Sequence, residues 1–186
     1  ESLRQKCIQA PKYGCDNNFA DTWTRHFFNL LADAYESQTT PRGGNFVVGL
    51  ISMANYVPLG KWVGATPDGR KSGDRLADST SPSVLAPGYG PTATHRSNAR
   101  AIDGLRAPNG ITFNQRFNVS AVSSSRDLHK WADLIRTFME GGGMEVQYTI
   151  VSADELRNAQ QNPTENRDLI VRVGGYSAVF VELSDE

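Results

Sequence analysis

Between Pro58 and Pro108 the chain is dominated by Gly, Pro, Ser, Thr and Asp and shows little apolar periodicity. A compact domain seldom carries so long a stretch without regular structure of its own, so the segment reads as long, ordered surface loops laid over other protein. No internal repeat or low-complexity segment is evident. The loop-rich stretch implies that the regular elements on either side are held together by loops and by further polypeptide.

Those elements follow from spacing. Leu3, Cys7 and Ile8 stand at near-helical intervals. Asn17–Glu36 carries the stripe Phe19, Trp23, Phe27, Leu30, Leu31 and Ala34, with Asp16 or Asn17 available as cap, and predicts a helix. Asn45–Ser52, with Phe46-Val47-Val48-Gly49-Leu50-Ile51, predicts a strand buried on both faces. Gly110–Ser120 alternates Ile111, Phe113, Phe117 and Val119 with polar residues and predicts a second strand. Ser124 or Ser125 then caps a helix with the stripe Leu128, Trp131, Ile135, Phe138 and Met139, stopped at Gly141-Gly142-Gly143.

Met144, Val146, Tyr148 and Ile150 alternate again. Ser152 and Glu155 form a capping box ahead of a short helix that ends near Pro163. Leu169–Val173 and Ser177–Leu183 read as strands flanking Gly174-Gly175. The order strand, helix, strand, helix, strand predicts an α/β fold.

The 186 residues and 39% hydrophobic content allow a buried core. A formal net charge of -1 gives no basic surface for nucleic acid. No apolar run approaches bilayer-spanning length, and Glu1-Ser2-Leu3-Arg4 lacks the apolar stretch of a signal peptide, so we expect a cytoplasmic protein without membrane contact. Cys7 and Cys15 are expected as free thiols.

Gly64-Ala65-Thr66-Pro67-Asp68-Gly69-Arg70-Lys71-Ser72 imitates a phosphate-binding loop, but Arg70 displaces the lysine and hydroxyl by one position. A proline-containing turn closed by Gly69 is the expectation instead. His26, His95 and His129 are far apart and lack partners at ligand spacing, so no metal site is expected. His26 and His129 fall within helices, whereas His95 lies in the loop-rich stretch. The scattered carboxylates single out no acid/base pair.

Paired glycines between strands are ordinarily explained as a two-residue hairpin turn, because they supply positive φ angles. In this chain, however, Val171-Arg172-Val173-Gly174-Gly175-Tyr176-Ser177-Ala178 resembles the signature of the glycyl radical enzymes, Arg-Val-small-Gly-Tyr. Further segments resemble the family in the same order. They are Ala10-Pro11-Lys12-Tyr13-Gly14, then Thr66-Pro67-Asp68-Gly69-Arg70, Leu76-Ala77-Asp78 and Ser81-Pro82-Ser83. Gly142-Gly143-Met144-Glu145-Val146-Gln147 follows, and then Leu156, Ala159-Gln160, Pro163 and Arg167-Asp168-Leu169.

The resemblance implies that the chain is the C-terminal part of the family's α/β barrel, with Gly175 as the radical residue on a loop between two strands. Arg172, Val173, Gly174, Tyr176 and Ser177 would form the radical-loop motif. Residues 1–64 would be the end of the pyruvate formate-lyase-like domain and 65–186 the glycine radical domain. A glycine suits this chemistry because an α-carbon radical is stabilised when planar, and a β-carbon would obstruct the flattening.

By the same resemblance, no cofactor is bound by this chain. A separate activating enzyme, using S-adenosylmethionine and an iron-sulfur cluster, removes a hydrogen from the glycine. The glycine radical then oxidises a cysteine to a thiyl radical that takes hydrogen from a small organic substrate. That cysteine lies in a Gly-Cys loop with no match in this sequence, and neither Cys7 nor Cys15 is expected to replace it. Ser177-Ala178, where pyruvate formate-lyase has alanine directly after the tyrosine, favours the dehydratase, decarboxylase and fumarate-adding branch.

The resemblance further implies an oxygen-sensitive enzyme of anaerobic metabolism, a homodimer when complete, and a polypeptide that continues before Glu1 and after Glu186. Two other readings stand beside this one. The chain could be an autonomous spare-part subunit that rescues an oxygen-cleaved enzyme, or a non-catalytic binding module that has kept the fold.

Overall fold

A computed structural model describes residues 2–183. Among the described residues, four of the six α-helices begin where polar caps take up orphan amides. Ser2 accepts from the Gln5 amide at the start of α1 (Leu3–Gln9), and Asn17 accepts from Phe19 and Ala20 at the start of α2 (Asn18–Glu36). The exceptions are α3, which spans Tyr56–Trp62, and α4, which spans Pro91–Ala101, the latter with proline in its first turn, where the missing N–H costs nothing.

Next come β1 (Asn114–Phe117), α5 (Ser125–Glu140, capped by Ser124), β2 (Gln147–Ile150), α6 (Ala153–Gln161, capped by Ser152), β3 (Ile170–Arg172) and β4 (Ser177–Val179). β1 pairs in parallel with β2 across α5, with Asn114 opposite Gln147 and Phe117 opposite Ile150. β3 and β4 form an antiparallel hairpin, with Arg172 opposite Ser177. The architecture is mixed α/β.

α4 corrects the expectation of loops throughout 58–108. Its inward face is His95, Ser97, Asn98 and Ala101, so no apolar stripe marks it in the sequence. Those polar groups are hydrogen-bonded within the interior. Asn98 Nδ2 donates to Thr80 Oγ1 at 2.9 Å, and Ser97 Oγ accepts from the Asp16 amide at 2.8 Å. His95, 1% exposed, packs edge-on against Phe113 and Phe138 and stacks on Tyr148. Burial pushes its pKa down and keeps the ring neutral, so Nδ1–H can donate to Pro91 O while Nε2 accepts from the Tyr148 hydroxyl at 2.8 Å.

α2 has the expected bounds but an unexpected orientation. Ala20, Asp21, Phe28 and Ala32 are its buried residues, while Phe19, Trp23, Phe27 and Leu30 are all more than half exposed. The small residues let α2 approach α4 closely, and Arg100 of α4 reaches both Asp21 and Asp16 at 2.8 Å. Phe28, Ala32, Val48, Ala101, Ile102, Ala107 and Ile111 form one core cluster, so the first and middle thirds of the chain share a single interior.

The run 45–52 is not a strand. It makes two isolated bridges, Thr39 to Asn45 and Leu50 to Ile111, its pairing with 109–112 stops after three backbone hydrogen bonds, and only Val48 is buried. The alternation predicted for 110–120 also fails at its start. Ile111, Thr112 and Phe113 are all buried, and only Asn114–Phe117 is a strand before a 3-10 turn at Val119–Val122. β4 likewise ends at Val179 and gives way to a 3-10 turn, Phe180–Glu182.

The segment imitating a phosphate loop closes as a turn. The Gly69 amide donates to Thr66 O at 3.2 Å, with Gly69 at φ +110. Arg70, 6% exposed, points into its own loop and donates to the carbonyls of Val63, Gly64, Lys71 and Asp74. Its guanidinium is therefore spent on backbone, which accounts for an arginine where a phosphate loop has lysine.

Candidate functional site

β2 has two faces, and period-two geometry sorts them. Tyr148 turns inward to His95 and Trp131, while Gln147 and Thr149 face the β3–β4 hairpin. Thr149 Oγ1 donates to Arg172 O at 3.2 Å, which ties the end of β3 to β2. The hairpin closes through the Val173 amide, which donates to Tyr176 O at 2.8 Å, leaving Gly174 and Gly175 at its tip.

The two glycines are glycine for different reasons. Gly175 has φ +90, a conformation that L-residues rarely adopt, and it is exposed, with no heavy atom within 4 Å of the position a Cβ would take. Gly174 is buried, and a Cβ there would stand 3.1 Å from the Met53 Cα. The hairpin explanation of the pair thus accounts for the backbone angle at one glycine only.

Gln147 organises the tip. Its Oε1 accepts from Arg172 Nε at 2.9 Å and from the Gly175 amide at 3.1 Å. Glu145, two residues earlier on the same face of the segment, accepts the Phe113 amide at 2.8 Å. Burial raises the Glu145 pKa, against the lowering pull of the Phe113 amide, Gln147 and Arg172. Arg172 additionally reaches Ser177 Oγ at 3.3 Å, and Tyr176 is 42% exposed beside them.

The structure therefore brings Arg172, Val173, Gly174, Gly175, Tyr176 and Ser177 into one turn. It adds Gln147, Glu145 and Met53, none of which the sequence alone assigned to the site. The alternation of Met144, Val146, Tyr148 and Ile150 already implied that Glu145, Gln147 and Thr149 share the opposite face. Nothing in the sequence signalled Met53. Among the described residues, no three His, Cys, Asp or Glu side chains come together as a metal site, and no helix is long and apolar enough to cross a membrane. Cys7 and Cys15 are free and half-buried.

Residues 76–181 match the family described as Glycine radical, and residues 1–60 match the family described as Pyruvate formate lyase-like. The chain belongs to the glycyl radical enzyme family. It is similar to Probable dehydratase YbiW of Escherichia coli K12, at 38% identity over 100% of this chain and 24% of that protein. Isethionate sulfite-lyase of Bilophila wadsworthia is 34% identical over 100% of this chain and 22% of its own length. Among solved structures, the glycerol-bound B12-independent glycerol dehydratase of Clostridium butyricum superposes with TM-score 0.92 at 40% identity, covering 98% of this chain and 23% of that one. The chain shares the fold of the corresponding part of these glycyl radical enzymes and spans about a quarter of the length of the curated relatives it matches.

Proposed function

We propose that this chain is the radical-storing C-terminal portion of a glycyl radical lyase and that Gly175 carries the unpaired electron. The observation that carries the reading is the Gly175 tip itself. The hydrogen standing where an L-side chain would be faces a space free of heavy atoms within 4 Å, and the same residue's amide is held by Gln147. A hydrogen atom can be removed from such a carbon and returned to it without moving a neighbour.

In this proposal a radical S-adenosylmethionine activating enzyme takes one hydrogen atom from Gly175. Gly175 then takes a hydrogen atom from the thiol of a cysteine outside this chain, so that an S–H bond breaks as the α-C–H bond re-forms. The thiyl radical left behind abstracts hydrogen from a small organic substrate. After the substrate radical has reacted, the product radical takes a hydrogen atom back from that thiol, and the thiyl radical so regenerated takes the α-hydrogen of Gly175, which again holds the radical.

The activities of the relatives, dehydratases and a sulfite-lyase among them, support a lyase rather than a transferase of acyl groups. We place the division between the pyruvate formate-lyase-like and glycine radical segments between residues 64 and 65, inside the gap between the two family matches. The complete enzyme is proposed to work anaerobically in the cytoplasm as a homodimer.

The test is anaerobic activation of the full-length protein, followed by electron paramagnetic resonance. An organic radical split by one α-hydrogen is expected, and the splitting should collapse when the protein contains deuterated glycine. Air should then cut the backbone at Gly175. Gly175→Ala should abolish signal and cleavage together. A glycine-derived signal persisting in Gly175→Ala would place the radical on another residue.

A further inference from the structure

We infer that Gln147 is the positioning residue of the radical glycine, its side-chain carbonyl taking the Gly175 N–H and thereby setting the peptide plane and the electron supply at the radical carbon. The inference rests on Gly175 being the radical residue. Gln147 lies 28 residues before Gly175 and on a different sheet, and its Oε1 nevertheless accepts from both the Gly175 amide at 3.1 Å and Arg172 Nε at 2.9 Å.

The geometry is constrained from three sides. On the strand, Gln147 is in register with Asn114, which fixes its backbone in the β1–β2 ladder. At the tip, the Gly175 amide donates to the side-chain carbonyl. On the carbonyl side, the Arg172 guanidinium supplies a second donor. A flipped amide would set its N–H donors against two other donors, Arg172 Nε and the Gly175 amide, so only one orientation satisfies both. Thr149, the next residue on the same face, holds Arg172 O and so keeps the base of the hairpin in place while Gln147 holds its tip.

A radical at an α-carbon draws electron density from the adjacent amide nitrogen and passes it to the carbonyl. An N–H that donates to an oriented acceptor makes its nitrogen the better donor. The same bond holds the peptide plane so that the nitrogen lone pair overlaps the half-filled orbital. Without it, Gly175 loses part of its advantage over the cysteine thiol as the resting place of the radical. Removing one hydrogen bond of ordinary strength shifts such a balance about fivefold.

The experiment uses the full-length protein, activated anaerobically, with 15N-labelled glycine and with light or heavy water. Electron-nuclear double resonance reads the exchangeable N–H proton and the 15N coupling of the radical, and spin counting gives its yield. Gln147→Met, of similar length but without the acceptor, should alter both couplings and lower the radical yield about fivefold. Gln147→Glu, combined with Glu145→Gln so that two carboxylates do not meet, keeps an acceptor and strengthens it by charge, so its N–H coupling should move in the opposite sense. Thr149→Val, which loses the bond to Arg172 O but no contact with Gly175, should keep the wild-type couplings.

A purely structural role would lower yield without altering the couplings of the radicals that form. Wild-type couplings in either Gln147 variant overturn the inference. Should Gln147→Met not fold, Gln147→Glu decides alone. Failure of the wild-type protein to show a glycine radical instead overturns the assignment of Gly175, a result separate from any behaviour of the Gln147 variants.

Discussion

Gly174→Ala tests whether the first glycine of the turn is constrained by packing rather than by backbone angle. The new Cβ would stand 3.1 Å from Met53 Cα and 3.6 Å from Met53 N, the first of these inside the usual separation of about 3.5–4.0 Å for carbon contacts. Something must give by several tenths of an ångström, and segment 52–55 is poorly placed to do so. Ser52 Oγ donates to Asp78 Oδ1 at 2.8 Å, the Ser52 amide donates to Ser79 Oγ at 2.8 Å, and the Ser79 amide returns to Ser52 Oγ at 2.9 Å. Met53 itself already sits at φ +49.

Overpacking of this kind costs about 1–3 kcal/mol. The probe is amide exchange at Val173, whose N–H closes the hairpin to Tyr176 O at 2.8 Å. Exchange at that amide should quicken about 5- to 150-fold through local opening, with amides of α2 unaffected. Ser52→Ala loosens the strap, so the double variant should cost at least about 0.5 kcal/mol less than the sum of the single changes. An unchanged Val173 exchange rate, or strict additivity, would refute the packing argument.

Two further outcomes are expected. Because burial lowers the His95 pKa in the folded protein, the neutral ring stabilises fully above the unfolded value of about 6.5, and that contribution is lost as pH falls from there through the folded value. Unfolding free energy should therefore fall as pH drops below about 6.5, because the unfolded chain takes up the proton first, and His95→Gln should flatten that fall. Arg70→Lys should destabilise by about 2 kcal/mol or more, since a lysine cannot serve the four carbonyls of Val63, Gly64, Lys71 and Asp74; proteolysis of native protein should then begin within 63–74.

Local chemistry was legible wherever it was decided locally. Asn17, Ser124 and Ser152 start their helices, and Gly141 ends α5, because each cap satisfies backbone groups a few residues away. The Gly174-Gly175 turn is visible for the same reason. What escaped depended on distant partners. α4 buries hydrogen-bonding residues whose partners Thr80, Asp16 and Tyr148 lie elsewhere, so it carries no apolar period. The run 45–52 has strand composition, but its pairing with 109–112 is too short to make it a strand. The aromatic stripe of α2 and its contact face diverge because helix-to-helix contact there favours alanine over bulk. Gln147 joined the site only once β2 and the hairpin were folded together.

The turn at Gly174-Gly175 is also the sole covalent link between β3 and β4, and that makes a cut there consequential. Three residue pairs join the strands, supplemented by the Phe180 amide bond to Leu169 O at 2.8 Å. While the chain is continuous, the two strands face each other at the high effective concentration of a short tether, on the order of millimolar or above. Scission at Gly175 turns that pairing into a bimolecular encounter between short segments, and an isolated pair of this size is marginal in water. The detached strand should then diffuse away and leave β3 with an open edge of unpaired amides and carbonyls. A single broken peptide bond would in this way be converted into the loss of a whole structural edge.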